Sequence, residues 1–145
     1  MKIGLKASYR SFSGKKIRVF LGGTCNNSVW RNDLPMLKTD YYNPVVPDWT
    51  PAFQQNELKE RSSCDIVVYC ITPAMTGVYS IAEVVDDSNK RPDKTVLCLL
   101  EQEADRSAFS KYQLKSLYAV CELVGKNGGK VCFSLQEVAD YCNSF

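Results

Sequence analysis

The stretch Asp65-Ile66-Val67-Val68-Tyr69-Cys70-Ile71-Thr72-Pro73-Ala74-Met75-Thr76-Gly77-Val78-Tyr79-Ser80-Ile81-Ala82-Glu83 decides the fold. Its first part, Ile66 to Ile71, is apolar and β-branched with no polar alternation, the pattern of a strand buried on both faces. Thr72-Pro73 ends it, because proline has no N–H for a ladder and restricts the residue before it. After the loop 74–77 the apolar positions fall at Ile81, Ala82, Val84 and Val85, a helical spacing. Glu83 is therefore expected in the first turns of a helix that begins at the carboxyl end of a central strand. Ligands bind at that place in open α/β sheets.

Toward the N-terminus, residues 17–21 (Ile-Arg-Val-Phe-Leu) read as a strand stopped by Gly22-Gly23. Paired glycines allow a tight turn and close approach of a ligand to the backbone. Asn27 or Ser28 is a natural N-cap for a helix over about 29–38, shortened or kinked by Pro35. The loop is not a GxGxxG, and it lacks the lysine of a GxxxxGK[ST] loop, so a nucleoside triphosphate site is not supported. Residues 42–46 form a second strand ended by Pro47, and Asp48-Trp49-Thr50-Pro51 is turn-rich. A charged-faced helix follows over 53–63. Residues 1–16 are polar and rich in Ser and Lys, and read as a leader or a loosely attached edge.

Toward the C-terminus, Arg91-Pro92-Asp93 turns the chain into a strand over 95–100, and 101–106 is a polar loop. Residues 109–124 carry Leu114, Leu117, Tyr118, Cys121 and Val124 at helical spacing. Glycines between 125 and 129 end that helix, and 130–133 is a short strand. Ser134 and Glu137 form a capping box for a last helix to about 142. Strands alternating with helices predict a parallel sheet, and right-handed crossovers make it a single-domain, doubly wound α/β sheet of about five strands with helices on both faces. The domain occupies 17–145.

Composition excludes several classes. A chain of 145 residues, 45% hydrophobic and 23% charged, makes one globular domain. A net charge of +2 gives no footprint for nucleic acid or an anionic membrane. No apolar run reaches the roughly 18 residues of a membrane span. The N-terminus lacks the apolar segment of a secretory signal. Seven cysteines, an odd number with no CxxC pair, predict free thiols in a reducing cytoplasm. Histidine is absent, which removes Ser-His and Cys-His nucleophile pairs. It also leaves a metal site poorly supplied with ligands. No metal or cofactor is expected, and acid–base work must fall to Asp, Glu, Tyr, Lys or Cys.

Phe20-Leu21-Gly22-Gly23-Thr24, Trp30-Arg31, Val46-Pro47-Asp48-Trp49, Asp65 and the run from Gly77 to Glu83 together resemble the nucleoside 2-deoxyribosyltransferase family. The match is to its deoxyribosyltransferase-like branch of bacteria and phages and covers about residues 17–100. The resemblance implies a flavodoxin-like sheet. It also implies cleavage of the N-glycosidic bond of 2'-deoxynucleosides or their monophosphates through a covalent deoxyribosyl-glutamate, resolved by a second base or by water. Glu83 matches the family nucleophile. A carboxylate suits that task because departure of the base leaves an oxocarbenium-like centre, which an anion about 3 Å away stabilises and then traps. At a helix start the anionic form of Glu83 is favoured as well.

The family places an acidic residue eight positions before the strand-opening Asp65; here it is Glu57, a general acid by that analogy or else a solvated helix residue. Asp65 reads as structural. The resemblance puts Gly22, Gly23 and Thr24 on the sugar side. It makes Asn26, Trp30, Arg31, Asp48, Trp49, Met75, Gly77 and Ser80 further substrate contacts, although the tryptophans equally suit a core or lid. Where the family carries a tyrosine whose hydroxyl orients the nucleophile, this chain has Phe20. Tyr79 or Ser80, four and three residues before Glu83, are the replacements expected. Relatives assemble as homodimers or larger, and the helix over 109–124 is the expected contact. A non-catalytic nucleotide-binding module or sensor on the same fold is the alternative function.

Overall fold

The computed structural model describes residues 8–10 in their backbone, and residues 17–25, 27–46 and 50–145 in full. Six strands form one sheet: β1 (Ser8–Arg10), β2 (Arg18–Gly23), β3 (Asp40–Asn43), β4 (Ile66–Ile71), β5 (Thr95–Leu99) and β6 (Lys130–Cys132), in the order β1-β3-β2-β4-β5-β6. Five are parallel, and β1 is an antiparallel edge on β3. The parallel part runs 3-2-4-5-6 along the chain, the doubly wound flavodoxin-like arrangement the sequence predicts. Its helices are α1 (Trp30–Asp33), α2 (Pro51–Ser63), α3 (Tyr79–Lys90), α4 (Lys111–Lys126) and α5 (Leu135–Asn143).

β4 is the spine, with all six residues buried. Its alternation serves both faces: Ile66, Val68 and Cys70 enter one core with Trp30, Leu37, Val138 and Cys142, the layer of α1 and α5. Val67, Tyr69 and Ile71 enter the other with Phe20, Val84, Leu117 and Val124, the layer of α3 and α4. Each fully buried Val, Leu or Ile is worth about 1.5–3 kcal/mol over exposure, so a strand with no solvent face has no other stable place. Cys70, Cys98 and Cys132 stand in register across β4, β5 and β6. All seven cysteines are free thiols, and only Cys25 is exposed. Burial pushes Cys132 up to about 11 and Cys142 up to about 12, so these two behave as small hydrophobes.

Several elements differ in extent from the sequence reading. β2 is not stopped by Gly22-Gly23 but runs through them, Gly22 opposite Tyr69 and Gly23 opposite Cys70. α1 is one turn long, because Pro35 forces Leu34 into an extended conformation (ψ 126°). Its N-cap is Val29 with no side-chain cap, not Asn27 or Ser28. α2 begins earlier, at Pro51, with Thr50 Oγ1 accepting from Phe53 N. The stripe of α4 is spent inside the molecule, since Leu117, Cys121 and Val124 are buried in the core. Tyr112, Tyr118 and Leu123 remain exposed on that helix.

α2 is unlike the others, for none of its residues is buried. Polar ties dock it instead. Glu60 pairs with Arg18, Asn56 Nδ2 donates to Tyr42 Oη at 2.8 Å, and Arg91 Nη1 donates to the Arg61 carbonyl at 3.1 Å. A helix held over a sheet by its polar edge leaves space beneath it.

Candidate active site

That space lies at the carboxyl ends of β2 and β4, where the chain order reverses across the sheet. It is a cavity of about 280 Å³, close to the lower end of the roughly 300–1,000 Å³ of small-molecule clefts. Phe20, Gly22 and Gly23 of β2 and Tyr69 of β4 form its floor. Glu57 and Arg61 come from α2, Ser80 and Glu83 from α3, Pro44 to Val46 from the end of β3, and Cys25 and Arg31 from the loop and helix after β2.

Glu83 is the fifth residue of α3, and no acidic residue lies in the first turn. The helix dipole fades within that turn, so it is not what supports the anion. Arg61 does so instead, its Nη1 donating to Glu83 Oε2 across the cavity. The two side chains are 18% and 19% exposed. Oε1 of Glu83 has no hydrogen-bond partner among the described residues. Burial raises the Glu83 carboxyl above its ordinary value and Arg61 pulls it back, while Glu57 and Asp87 push it up again. Glu57 is also raised, chiefly by burial, against the pull of Arg61 and Arg31. The cavity thus holds two half-buried carboxyls that both release protons less readily than free ones.

Behind Glu83 stands a polar knot that sequence reasoning missed. Asp87, one turn further along α3 and 5% exposed in its side chain, accepts from Tyr69 Oη. It also accepts from Arg91 Nε at 3.1 Å and Nη2 at 3.3 Å, and lies 3.7 Å from Arg61 Nε. Burial and the bond to Asp87 raise the Tyr69 phenol. Burial opposes the charge of Arg61, but Tyr69, Glu83, Asp87 and Tyr79 around it outweigh that and hold it charged. Asp87→Asn keeps the shape and removes the charge these groups share. We expect a loss of about 2 kcal/mol in unfolding free energy, read in urea as a lower midpoint at unchanged m-value. An unchanged midpoint would make the knot energetically idle.

Of the residues expected at the site, Gly22, Gly23, Arg31, Glu57, Ser80 and Glu83 line this one cavity. Thr24 lies just behind it. Its N–H donates to Cys70 O at 2.8 Å, and its Oγ1 accepts from Thr72 N at 3.0 Å, joining the ends of β2 and β4. Trp30 does not line it. The indole is buried in the opposite core and donates to Thr24 O at 2.8 Å. Arg31 stacks on that ring and spends its donors on the carbonyls of Leu21 and Thr24. Met75 packs against the core, and Gly77 sits in an open loop. Tyr79 is 74% exposed and outside the cavity lining, so the phenol facing Glu83's side of the cavity is that of Tyr69. Asn26, Asp48 and Trp49 lie outside the described residues. Asp65 ties the strand entrances, its Oδ2 accepting from Arg18 N at 2.8 Å.

A larger groove of about 930 Å³ lies beyond β5, between Trp30, Leu100, Tyr118 and Phe133. Its best-placed carboxylate, Glu103, is already committed to Thr72 Oγ1, Ser28 Oγ and Ala74 N. It therefore braces the two loops rather than awaiting a ligand. Asp33 and Glu101 line the groove as well but are exposed, whereas the smaller cavity holds the half-buried carboxyls Glu57 and Glu83.

Fold and site together define a doubly wound α/β protein with a doubly acidic small-molecule cavity at its topological switch point. Residues 16–102, which run from β2 through β5 and include every residue lining that cavity, match the family described as nucleoside 2-deoxyribosyltransferase like. The chain belongs to that family. Membership points to glycosyl-transfer chemistry on a nucleoside-type small molecule. A comparison with curated proteins finds no match. No helix among the described residues is long and apolar enough to cross a membrane. No group of three or more Cys, Asp or Glu among them is arranged to hold a metal ion.

Proposed function

We propose that this protein cleaves the N-glycosidic bond of a 2'-deoxynucleoside or its monophosphate, with Glu83 as the nucleophile and Glu57 as the acid. The observation that carries this reading is the meeting of these two carboxyls in one cavity at the switch point. Glu83 Oε1 attacks C1', forming the C1'–O bond as the C1'–N bond breaks. The bonding pair leaves with the base, which takes the Glu57 proton. The deoxyribosyl-Glu83 ester then passes its sugar to a nitrogen of a second base or to water, and Glu57 removes the acceptor's proton. Gly22 and Gly23 offer their backbone to the sugar from the cavity wall, and Ser80 lines the same space.

Incubation with a panel of deoxynucleosides and deoxynucleoside monophosphates, with and without a second free base, tests this by chromatography. Released base is the expected result, together with one deoxyribosyl group on the peptide containing Glu83. Thermal stabilisation by nucleosides with no product across the panel would overturn it in favour of a binding module.

The pH dependence has a definite sign. Activity needs Glu83 deprotonated and Glu57 protonated, so the rate rises as Glu83 ionises and falls as Glu57 does. Because burial raises both, both limbs of the bell in kcat/KM are expected above the ordinary carboxyl range. An acid limb at or below about 4, the range of an unperturbed carboxyl, would remove Glu83 from the mechanism. Assembly of the chain with further copies of itself in the cytoplasm belongs to the same proposal.

A further inference from the structure

Two like carboxyls in one cavity cannot both serve as base or both as acid, so something must break their symmetry. They share one guanidinium. Glu57 and Arg61 are four residues apart on α2, which places them on the same face one turn apart. From there Arg61 reaches across to Glu83 Oε2. Glu57 makes no ion pair within 4 Å among the described residues, and α2 offers it Arg61 only at a distance.

We propose that Arg61 assigns the roles of the two cavity carboxyls: paired to Glu83, it keeps that group the anion and aims its free oxygen, and it leaves Glu57 to hold the proton. Arg61 is here a positioning residue. Asp87 is its counterweight, 3.7 Å from Nε and itself fixed by Arg91 and Tyr69, and so holds the guanidinium on the Glu83 side of the cavity. The charged or titratable groups around Glu83 are Glu57 and Arg61 from α2, Asp87 from α3, Tyr69 from β4, and Arg31 and Cys25 from the segment after β2. Arg91 lies behind Asp87, and Tyr79 beside Arg61. Among these, the Arg61–Glu83 contact is the one ion pair that Glu83 makes. Two coupled carboxyls lose their protons in two macroscopic steps, and this contact decides which one leaves first.

The assignment of catalytic roles rests on the reading of Glu83 as nucleophile, but the order of titration does not. Glutamates labelled with ¹³C at the carboxyl carbon are titrated by NMR in the full chain, with signals assigned through Glu83→Gln and Glu57→Gln. In the wild type the Glu83 signal is expected to titrate below that of Glu57. Arg61→Gln is expected to raise the Glu83 midpoint by about 1–3 pH units and reverse or merge the order, while Arg61→Lys keeps most of the separation. If Arg61→Gln does not fold, the two carboxyl variants serve instead. Glu57→Gln mimics the protonated Glu57 that the proposal places beside an ionising Glu83, so the Glu83 midpoint must stay nearly unchanged, whereas Glu83→Gln removes the anion that Glu57 titrates against and must lower the Glu57 midpoint. An unmoved Glu83 midpoint in folded Arg61→Gln, or the opposite asymmetry between the two carboxyl variants where they serve, overturns the proposal. Full turnover in Glu83→Gln would sink the nucleophile reading and leave the titration order standing.

Discussion

Glu83→Gln is expected to lower kcat for base release by at least about 10³-fold. Removing one preorganised group that meets a developing charge costs roughly 10²–10³, and the amide in addition cannot form the covalent ester. The fold should survive, because Glu83 lies in no apolar cluster and its main packing is the Arg61 contact. Thermal denaturation of the variant controls for that. Glu83→Ala adds a sharper result: formate or azide should enter the vacated space beside Arg61 and attack C1', giving deoxyribosyl formate or azide as the base leaves. Restoration by a small anion separates a missing nucleophile from a distorted site. A glutamine variant within tenfold of wild type would show that the sugar is never bonded to this residue.

How much of this could be read from the chain follows from the range of each interaction. β4 was legible because its signal is local and strong: six apolar residues bounded by Asp65 and Thr72-Pro73. The strand–helix alternation gave the doubly wound sheet, and Glu83 fell at its mouth by counting along α3. The Arg61–Asp87–Tyr69 knot was not legible. Its members lie on α2, α3 and β4, and Tyr69 hides in a run that reads as pure core. Tyr79 fails as the orienting phenol for a geometric reason. Side chains lean toward a helix N-terminus, and at the first residue of α3 that direction leads out to solvent. A phenol does reach the cavity from the neighbouring strand, that of Tyr69, but its Oη donates to Asp87 rather than to Glu83. α2 was predicted from its pattern, but its polar docking was not, since no apolar stripe announces it.

Gly23→Ala is expected to be the most destabilising single substitution near the cavity, at about 2–5 kcal/mol. Gly23 has φ +107°, and an added Cβ would stand 2.2 Å from Cys70 O and 2.5 Å from Cys70 N. Those are atoms of the central strand's backbone, which cannot rotate aside. A positive φ costs an L residue roughly 1–2 kcal/mol, and forcing bulk into a packed place adds about 1–3. Against a total stability of about 5–15 kcal/mol, that threatens the fold. To relieve the clash β2 must part from β4 where Thr24 N meets Cys70 O and Thr72 N meets Thr24 Oγ1. The Arg31 clamp on Leu21 O and Thr24 O would shift with it. Gly77→Ala is the matched control: its Cβ meets nothing within 4 Å, so it should change stability by less than about 1 kcal/mol. Urea midpoints of the two variants decide the matter. Equal midpoints would mean that β2 and β4 can separate at the cavity without cost, and a cavity so loosely walled could not hold two carboxyls to opposite roles.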